Sequence, residues 1–263
     1  MAKVFLVGAG PGAPDLLTLR AARLIEKADV VFYDALVHAD TIALAANAKK
    51  VSVGKRAGRV STDQRFINRQ LVEAARHYQH VVRLKGGDPM MFGRAQEEIE
   101  ALNEAGIDYE VVPGITAALA ASAALGVSLT RRGIARTVSF ATPRVHADAG
   151  PNETESDWLT SAAAADSTVL YMAAGQAPNI ARALIGAGKA GSTPVAIVEN
   201  ASLDNEQKFF TTLAGLTASS LNLSGPAVLC VGAVFAAPAV KSSIAESHES
   251  RMREMHSSRC QAG

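Results

Sequence analysis

Short apolar runs and helix-period segments alternate along the first half of the chain. Val4–Val7 reads as a strand, followed by a glycine and proline loop from Gly8 to Pro14. Leu16, Leu19, Ala22 and Ile25 recur at helical spacing and predict a helix over Asp15–Ala28. Further strands are predicted at Val30–Tyr33, Lys50–Val53, Val81–Leu84 and Ile107–Val112. Between the third and fourth of these runs, Ser61-Thr-Asp-Gln64 forms a capping box that opens a helix to about Tyr78. A third helix runs over Arg94–Ala105 and is closed by Gly106. Five strands joined by crossover helices predict a parallel α/β layout.

The pattern restarts after Pro113-Gly114. An alanine-rich helix is predicted over Thr116–Leu125, with others at Asn179–Gly186 and Leu213–Leu221. Strands are predicted at Thr137–Thr142, Thr168–Met172, Val195–Val198, Phe209–Leu213 and Ala227–Val234. Ala147–Ser156 is polar and acidic and reads as a surface loop. The expected organisation is an α/β unit over 1–113, a second over 114–240 and a polar tail over 241–263, frayed or disordered.

Charge changes this picture more than composition does. The 263 residues are 48% hydrophobic and carry a formal charge of +1. The basic groups are concentrated, with Lys55, Arg56, Arg59, Arg65, Arg69, Arg76, Arg83, Lys85 and Arg94 set against Asp63, Glu73 and Asp88. Arg131, Arg132, Arg136 and Arg144 fall in a stretch without acids. That distribution suits a small, highly anionic substrate, although Arg65, Arg69 and Arg76 fit a solvated helix face. Cys230 lies in an apolar run and Cys260 in the tail, so no disulfide framework follows. His77-x-x-His80 has no third ligand near it in sequence, and no metal site is expected. With no signal peptide and no apolar run of membrane length, a soluble cytoplasmic protein is expected.

Two loops carry candidate chemistry. Val81-Val-Arg-Leu-Lys-Gly-Gly-Asp-Pro89 is a strand ending in bare backbone and a carboxylate. At a strand's carboxyl end, Gly86-Gly87-Asp88 is a candidate site for a nucleoside-like cofactor, or a plain βα turn. Gly8-Ala-Gly10-Pro-Gly12-Ala13 formally fits a dinucleotide fingerprint, with Asp34 about twenty residues on. A pyrophosphate needs backbone N–H groups, and Pro11 and Pro14 lack them. A cofactor without phosphates would tolerate Pro11 and could use its ring as an apolar wall.

Taken in order, Val7–Gly12, Ala28–Asp34, Val53–Gly58, Val82–Pro89, Phe92–Arg94, Val112–Ala117 and Val198–Asn200 closely resemble the tetrapyrrole methylase family, over about Lys3–Val234. Within it they resemble the members that C-methylate uroporphyrinogen III. The resemblance implies a two-lobed α/β fold, with a mainly parallel N-terminal sheet, a mixed C-terminal sheet and an active site in the cleft between them. It implies a homodimer, S-adenosylmethionine as methyl donor, no metal, and no nucleic-acid or membrane partner. The implied reaction is two successive methylations of uroporphyrinogen III to precorrin-2, feeding siroheme or cobalamin. Carried over by position, the cofactor contacts fall on Pro11, Gly86, Gly87, Asp88, Met91, Thr116, Ala117, Met172 and Ala201. The proton acceptor falls on Asp34 and the proton donor on Lys55. Because arginine forks match carboxylates, Lys55, Arg56, Arg59, Arg94, Arg131, Arg132 and Arg136 are candidates to hold the substrate's carboxylates.

Three features depart from the family. Ala201 stands where Gly is usual. Thr142-Pro-Arg144 replaces Thr-Gly-His, which makes Arg144 either a substrate contact or a surface charge. The chain also opens directly at the methylase motif, so the dehydrogenase–chelatase module fused in some siroheme synthases is not expected. Rival readings are a methylase acting on a precorrin, ribosomal RNA or a modified histidine; a nicotinamide oxidoreductase; and a non-catalytic S-adenosylmethionine-binding module. The sequence Val53–Gly58 favours uroporphyrinogen III, and the basic residues lack interleaved aromatics for RNA stacking.

Overall fold

In a computed structural model of the chain, residues 2–54, 64–143, 157–219 and 223–237 are described. The first sheet comprises β1 (Lys3–Gly8), β2 (Val30–Tyr33), β3 (Lys49–Ser52), β4 (His80–Lys85) and β5 (Asp108–Val112). Its order is β3-β2-β4-β1-β5 and every pairing is parallel. Successive side chains of a strand face opposite sides, and here both sides are covered. Val4, Leu6, Val30, Phe32 and Val81 pack against α3 (Gln64–His77) and α4 (Ala95–Glu104). Phe5, Val7, Val31, Val82 and Leu84 pack against α1 (Leu19–Glu26), through Ala21 and Ile25. Double burial is why these strands read as nearly unbroken apolar runs. A short α2 (Ala39–Ala43) follows β2.

The second sheet comprises β6 (Val138–Ala141), β7 (Ser167–Leu170), β8 (Pro194–Glu199), β9 (Gln207–Thr212) and β10 (Ala227–Gly232). It is mixed, with order β6-β7-β10-β8-β9; only β6 and β7 run parallel. One face packs on α5 (Ala117–Leu125), through Ala118 and Ala121. The other packs on α6 (Asp157–Ala164), α7 (Ala177–Gly186) and α8 (Leu213–Ala218). Cys230 lies within this core, and burial pushes its thiol up to about 12, which leaves it unreactive.

The structure differs from the periodicity at several ends. The first helix starts later than Asp15. Pro14–Leu16 is a 3-10 turn, and Thr18 then caps α1 by accepting from the Ala21 N–H at 3.1 Å. Leu213 belongs to α8 rather than to β9, because the Thr212 side chain accepts from the Gly215 N–H and starts a helix there. The run Thr168–Met172 ends at Leu170, since Met172 has φ 55°. Helices α2 and α6 were not predicted; five and eight residues long, they show too little apolar periodicity. The residues Ser61–Asp63, Ala147–Ser156 and 241–263 lie outside the described residues.

One close approach locates the cleft. A Cβ on Gly8 would lie 2.6 Å from the Gly114 Cα and 2.8 Å from the Gly87 oxygen. The loops after β1, β4 and β5 therefore touch backbone to backbone. Gly8→Ala is expected to destabilise the fold by at least ~1–3 kcal/mol through overpacking. Urea denaturation checks this, and an unchanged midpoint would show that the three loops are not in contact.

Candidate functional site

Adjacent strands β1 and β4 send their chains to opposite faces of the first sheet, α1 on one and α4 on the other. Their loops part there, and such a divergence at the carboxyl ends of strands makes a crevice. The loop backbones are tied across it. Ala9 N–H donates to Lys85 O at 2.7 Å, Gly10 N–H to Gly87 O at 3.2 Å, and Gly87 N–H to Gly10 O at 2.7 Å. These donors are used within the protein and are not available to a pyrophosphate. Pro11 follows without one, and the helix begins only at Leu19. This geometry disfavours a pyrophosphate at the loop.

Asp88 fastens the crevice floor. Its Oδ1 accepts from Met90 N–H at 2.8 Å and its Oδ2 from Gly114 N–H at 2.9 Å. The carboxylate thus joins the β4 loop to the segment entering α5. It does the work of a turn and a tether, and any ligand contact comes in addition to these two bonds.

Behind the crevice lies a chain of charges. Glu98 on α4 is 0% exposed, Arg83 on β4 2%, Lys85 3% and Asp34, just past β2, 29%. Arg83 donates from Nε to Glu98 Oε1 at 2.9 Å, from Nη1 to Leu84 O at 3.1 Å and from Nη2 to Asp34 Oδ1 at 2.6 Å. Lys85 Nζ donates to Glu98 Oε2 at 2.9 Å, and Gln64 Nε2 to Glu98 Oε1 at 3.2 Å. Burial pulls the Lys85 ammonium below its ordinary pKa, and neighbouring Arg83 adds to this. Burial acts against the Arg83 charge too, but the carboxylates of Asp34 and Glu98 outweigh it and hold the guanidinium above its ordinary value.

The second lobe supplies the opposite wall. Thr116 and Ala117 open α5, and Tyr171 and Met172 follow β7. Thr116 Oγ1 and the Tyr171 hydroxyl are hydrogen-bonded at 2.6 Å, and the Phe92 ring lies 5.0 Å from that of Tyr171. Burial pushes the Tyr171 phenol upward in pKa, against the Thr116 hydrogen bond. Ala13 N–H donates to Ser202 Oγ at 3.1 Å, and a Cβ on Gly12 would meet Leu203, so the lobes also touch beside the cleft. Among the described residues, the non-glycine positions with positive φ are Phe92, Arg94, Met172, Asn200 and Ser202. All flank this cleft, where such strain is characteristically stored.

Two hollows meet here. One, of about 220 Å³, is lined by Pro11, Gly86, Gly87, Asp88, Met91, Thr116, Ala117 and Met172, with Asp34, Lys85, Phe92 and Tyr171. The other, of about 490 Å³, is lined by Tyr33, His38, Ser52, Gly54, Asn200 and Leu203. They share Asp34, Leu36 and Pro226.

The sequence-derived cofactor residues thus converge on one cavity, except Ala201. Ala201 is buried with Ala118, Val198 and Val228, so its methyl enters the core, where it is accommodated. The arginines after α5 are not brought to the cleft. Arg131 and Ala135 form a two-way backbone bridge, and Arg136 N–H donates to Asp166 Oδ2 at 2.9 Å. Asp166 precedes β7 whereas Tyr171 follows it, a separation of roughly 16 Å at ~3.3 Å per residue. Arg131, Arg132 and Arg136 are exposed, and none of them lines either hollow. Arg94 sits beside the cavity residue Gly93 and engages Glu97 through Nε and Nη2, at 2.6 and 2.8 Å. Lys55, Arg56, Arg59 and Arg144 lie outside the described residues. Sequence reasoning missed Lys85, Glu98, Leu36 and Tyr171 as site residues, and Arg83 as the partner of Asp34. A signal existed for two of them: Arg83 and Lys85 share one face of a strand that is otherwise apolar, and charges there require a buried counter-charge.

Comparison with known proteins agrees with this geometry. The family model of the Tetrapyrrole (Corrin/Porphyrin) Methylases matches residues 3–217. The uroporphyrinogen-III C-methyltransferase of Pseudomonas aeruginosa is 44% identical over 234 residues, 88% of this chain and 94% of that protein. A siroheme synthase of Psychrobacter cryohalolentis is 44% identical over 237 residues, covering 89% of this chain but 45% of the relative. The chain thus spans about half the length of that relative. The crystal structure of uroporphyrin III C-methyl transferase from Thermus thermophilus superimposes with a TM-score of 0.78 at 38% identity, covering 89% of this chain and 98% of that one. The same protein has been crystallised with S-adenyl homocysteine.

Asp88→Ala would leave two loop N–H groups without an acceptor. A loss of ~1–3 kcal/mol in unfolding free energy is expected, with Asp88→Asn losing less. Unchanged stability in Asp88→Ala would mean that the carboxylate serves a ligand and not the loops.

Proposed function

This chain belongs to the tetrapyrrole methylases, and from that premise we propose that it methylates uroporphyrinogen III twice at ring carbons, using S-adenosylmethionine, to give precorrin-2. The observation that carries this reading is the position of Asp34. Its carboxylate stands where the two hollows join and is gripped from behind by a buried arginine. A proton acceptor between a donor site and an acceptor site is what carbon methylation requires.

The smaller cavity fits the methyl donor. Its walls are Pro11, Met91 and Met172, its floor is glycine backbone, and the Gly10 and Gly87 N–H groups are engaged within the protein. A nucleoside without phosphates suits such walls. Bound there, S-adenosylmethionine supplies a methyl group activated on a sulfonium. Gly86, Gly87, Thr116 and Ala117 would orient it, and Phe92, Tyr171 and Met172 would exclude water. Methylation of a fully substituted ring carbon leaves the ring system cationic; Asp34 Oδ1 is occupied by Arg83, which leaves Oδ2 to take the proton that a ring N–H or bridging methylene then gives up. Lys55 is the proton donor by family position, and Lys55, Arg56 and Arg59 are proposed to pair with substrate carboxylates. Arg144 is proposed as a further carboxylate contact. A homodimer, a cytoplasmic setting and lobes of 1–113 and 114–240 belong to the same reading. No helix among the described residues is long and apolar enough to cross a membrane.

A second reading, methylation of a precorrin, is supported by the likeness to cobalt precorrin-4 methyltransferase, with a TM-score of 0.76 at 29% identity. Mass spectrometry separates the two. With uroporphyrinogen III and excess donor, two added methyl groups are expected, through a singly methylated intermediate. A product that stops at one, or none, would favour the precorrin reading.

Calorimetry is expected to show micromolar binding of S-adenosylmethionine or its demethylated product and no binding of NAD. Tight NAD binding would contradict the site. Asp34→Asn is expected to lower turnover by ~10²–10⁴-fold, the usual worth of a general base, while donor affinity stays nearly intact. Wild-type turnover in that variant would remove Asp34 from the chemistry.

A further inference from the structure

We infer that Lys85 and Glu98 are positioning residues for the methyl transfer: a buried ion pair that acts on Asp34 through Arg83 and sets the charge Asp34 experiences. The inference rests on the reading of Asp34 as proton acceptor and names the device that tunes it.

The contacts run in one direction. Asp34 Oδ1 meets Arg83 Nη2 at 2.6 Å. Arg83 turns its Nε to Glu98 Oε1, and the other oxygen of Glu98 takes Lys85 Nζ. The ion pairs that Arg83 and Lys85 form are with Asp34 and Glu98, while Asp88 and His38 line the two hollows that Asp34 faces. The remaining neighbour, Gln64 from α3, is uncharged. Two cations and two carboxylates thus form a neutral set spread over β2, β4 and α4.

Order matters within that set. Glu98 is fully buried and needs a cation of its own. With Lys85 in place, Glu98 is neutralised and the Arg83 charge is available to Asp34. Without Lys85, one guanidinium is shared between two carboxylates, and Asp34 becomes easier to protonate. Without Glu98, two cations face a single carboxylate, and Asp34 becomes harder to protonate. The two residues therefore push Asp34 in opposite directions, which residues serving only to fill the core would not do.

The test is the acid limb of kcat/KM against pH, which reports the base of the free enzyme. In Lys85→Gln the limb is expected to move up by ~1 unit. In Glu98→Gln it is expected to move down, and in the double variant to return close to wild type, because the charge pair has been removed together. Limbs that stay fixed, or that move the same way in both single variants, overturn the inference. Should Lys85→Gln not fold, Lys85→Met carries the same expectation, and the downward shift in Glu98→Gln carries its half alone. Asp34→Asn separates the levels. Loss of the limb there, with no movement in the Lys85 and Glu98 variants, defeats this inference and leaves the role of Asp34 standing. A limb that persists in Asp34→Asn defeats both.

Discussion

The Arg83–Glu98 contact is the constraint on which the cleft depends. An arginine on a central strand of a doubly covered sheet has no route to water. Taking a charge out of water costs several kcal/mol unless it is paired and hydrogen-bonded. Arg83 meets that condition by engaging Glu98, Leu84 O and Asp34, which fixes α4 against β4 and fixes Asp34 at the mouth of the crevice. Lys85, one step along the same face, closes the set from the cavity side. The charges hold three elements in register, and they also place a carboxylate where the two hollows meet.

The second constraint is steric. Gly8, Gly87 and Gly114 let three loops approach without side chains between them. The loops then use their own N–H groups on each other and on Asp88. A site built this way is short of donors for phosphate and well supplied with apolar wall. The fold shares strand-end glycines with dinucleotide-binding proteins, yet these walls suit a nucleoside without phosphate better than a pyrophosphate.

Much of this was legible in the chain. The parallel strands of the first sheet announced themselves as β-branched runs, because burial on both faces leaves little room for polar residues. The residues expected to hold the cofactor, Ala201 excepted, fell on one cavity because motif positions at strand ends are placed there by topology. Other features were hidden for identifiable reasons. Thr18 rather than Asp15 starts α1, since a side-chain cap outweighs the acid that precedes it. Arg131, Arg132 and Arg136 are exposed and line neither hollow, and charge density along the sequence does not say where on the surface it will fall. Tyr171 carried no periodic signal. It acquires meaning through tertiary partners, Thr116, 55 residues away in sequence, and the Phe92 ring.

The measurement that bears most directly on this account is a crystal structure of the chain with S-adenosylhomocysteine. The ligand is expected in the cavity between the Gly86–Gly87 backbone and Met172, against Pro11, with its sulfur turned toward Asp34 and the larger hollow. Density in any other hollow, or a sulfur facing away from Asp34, would contradict the assignment of the cleft as the site of methyl transfer.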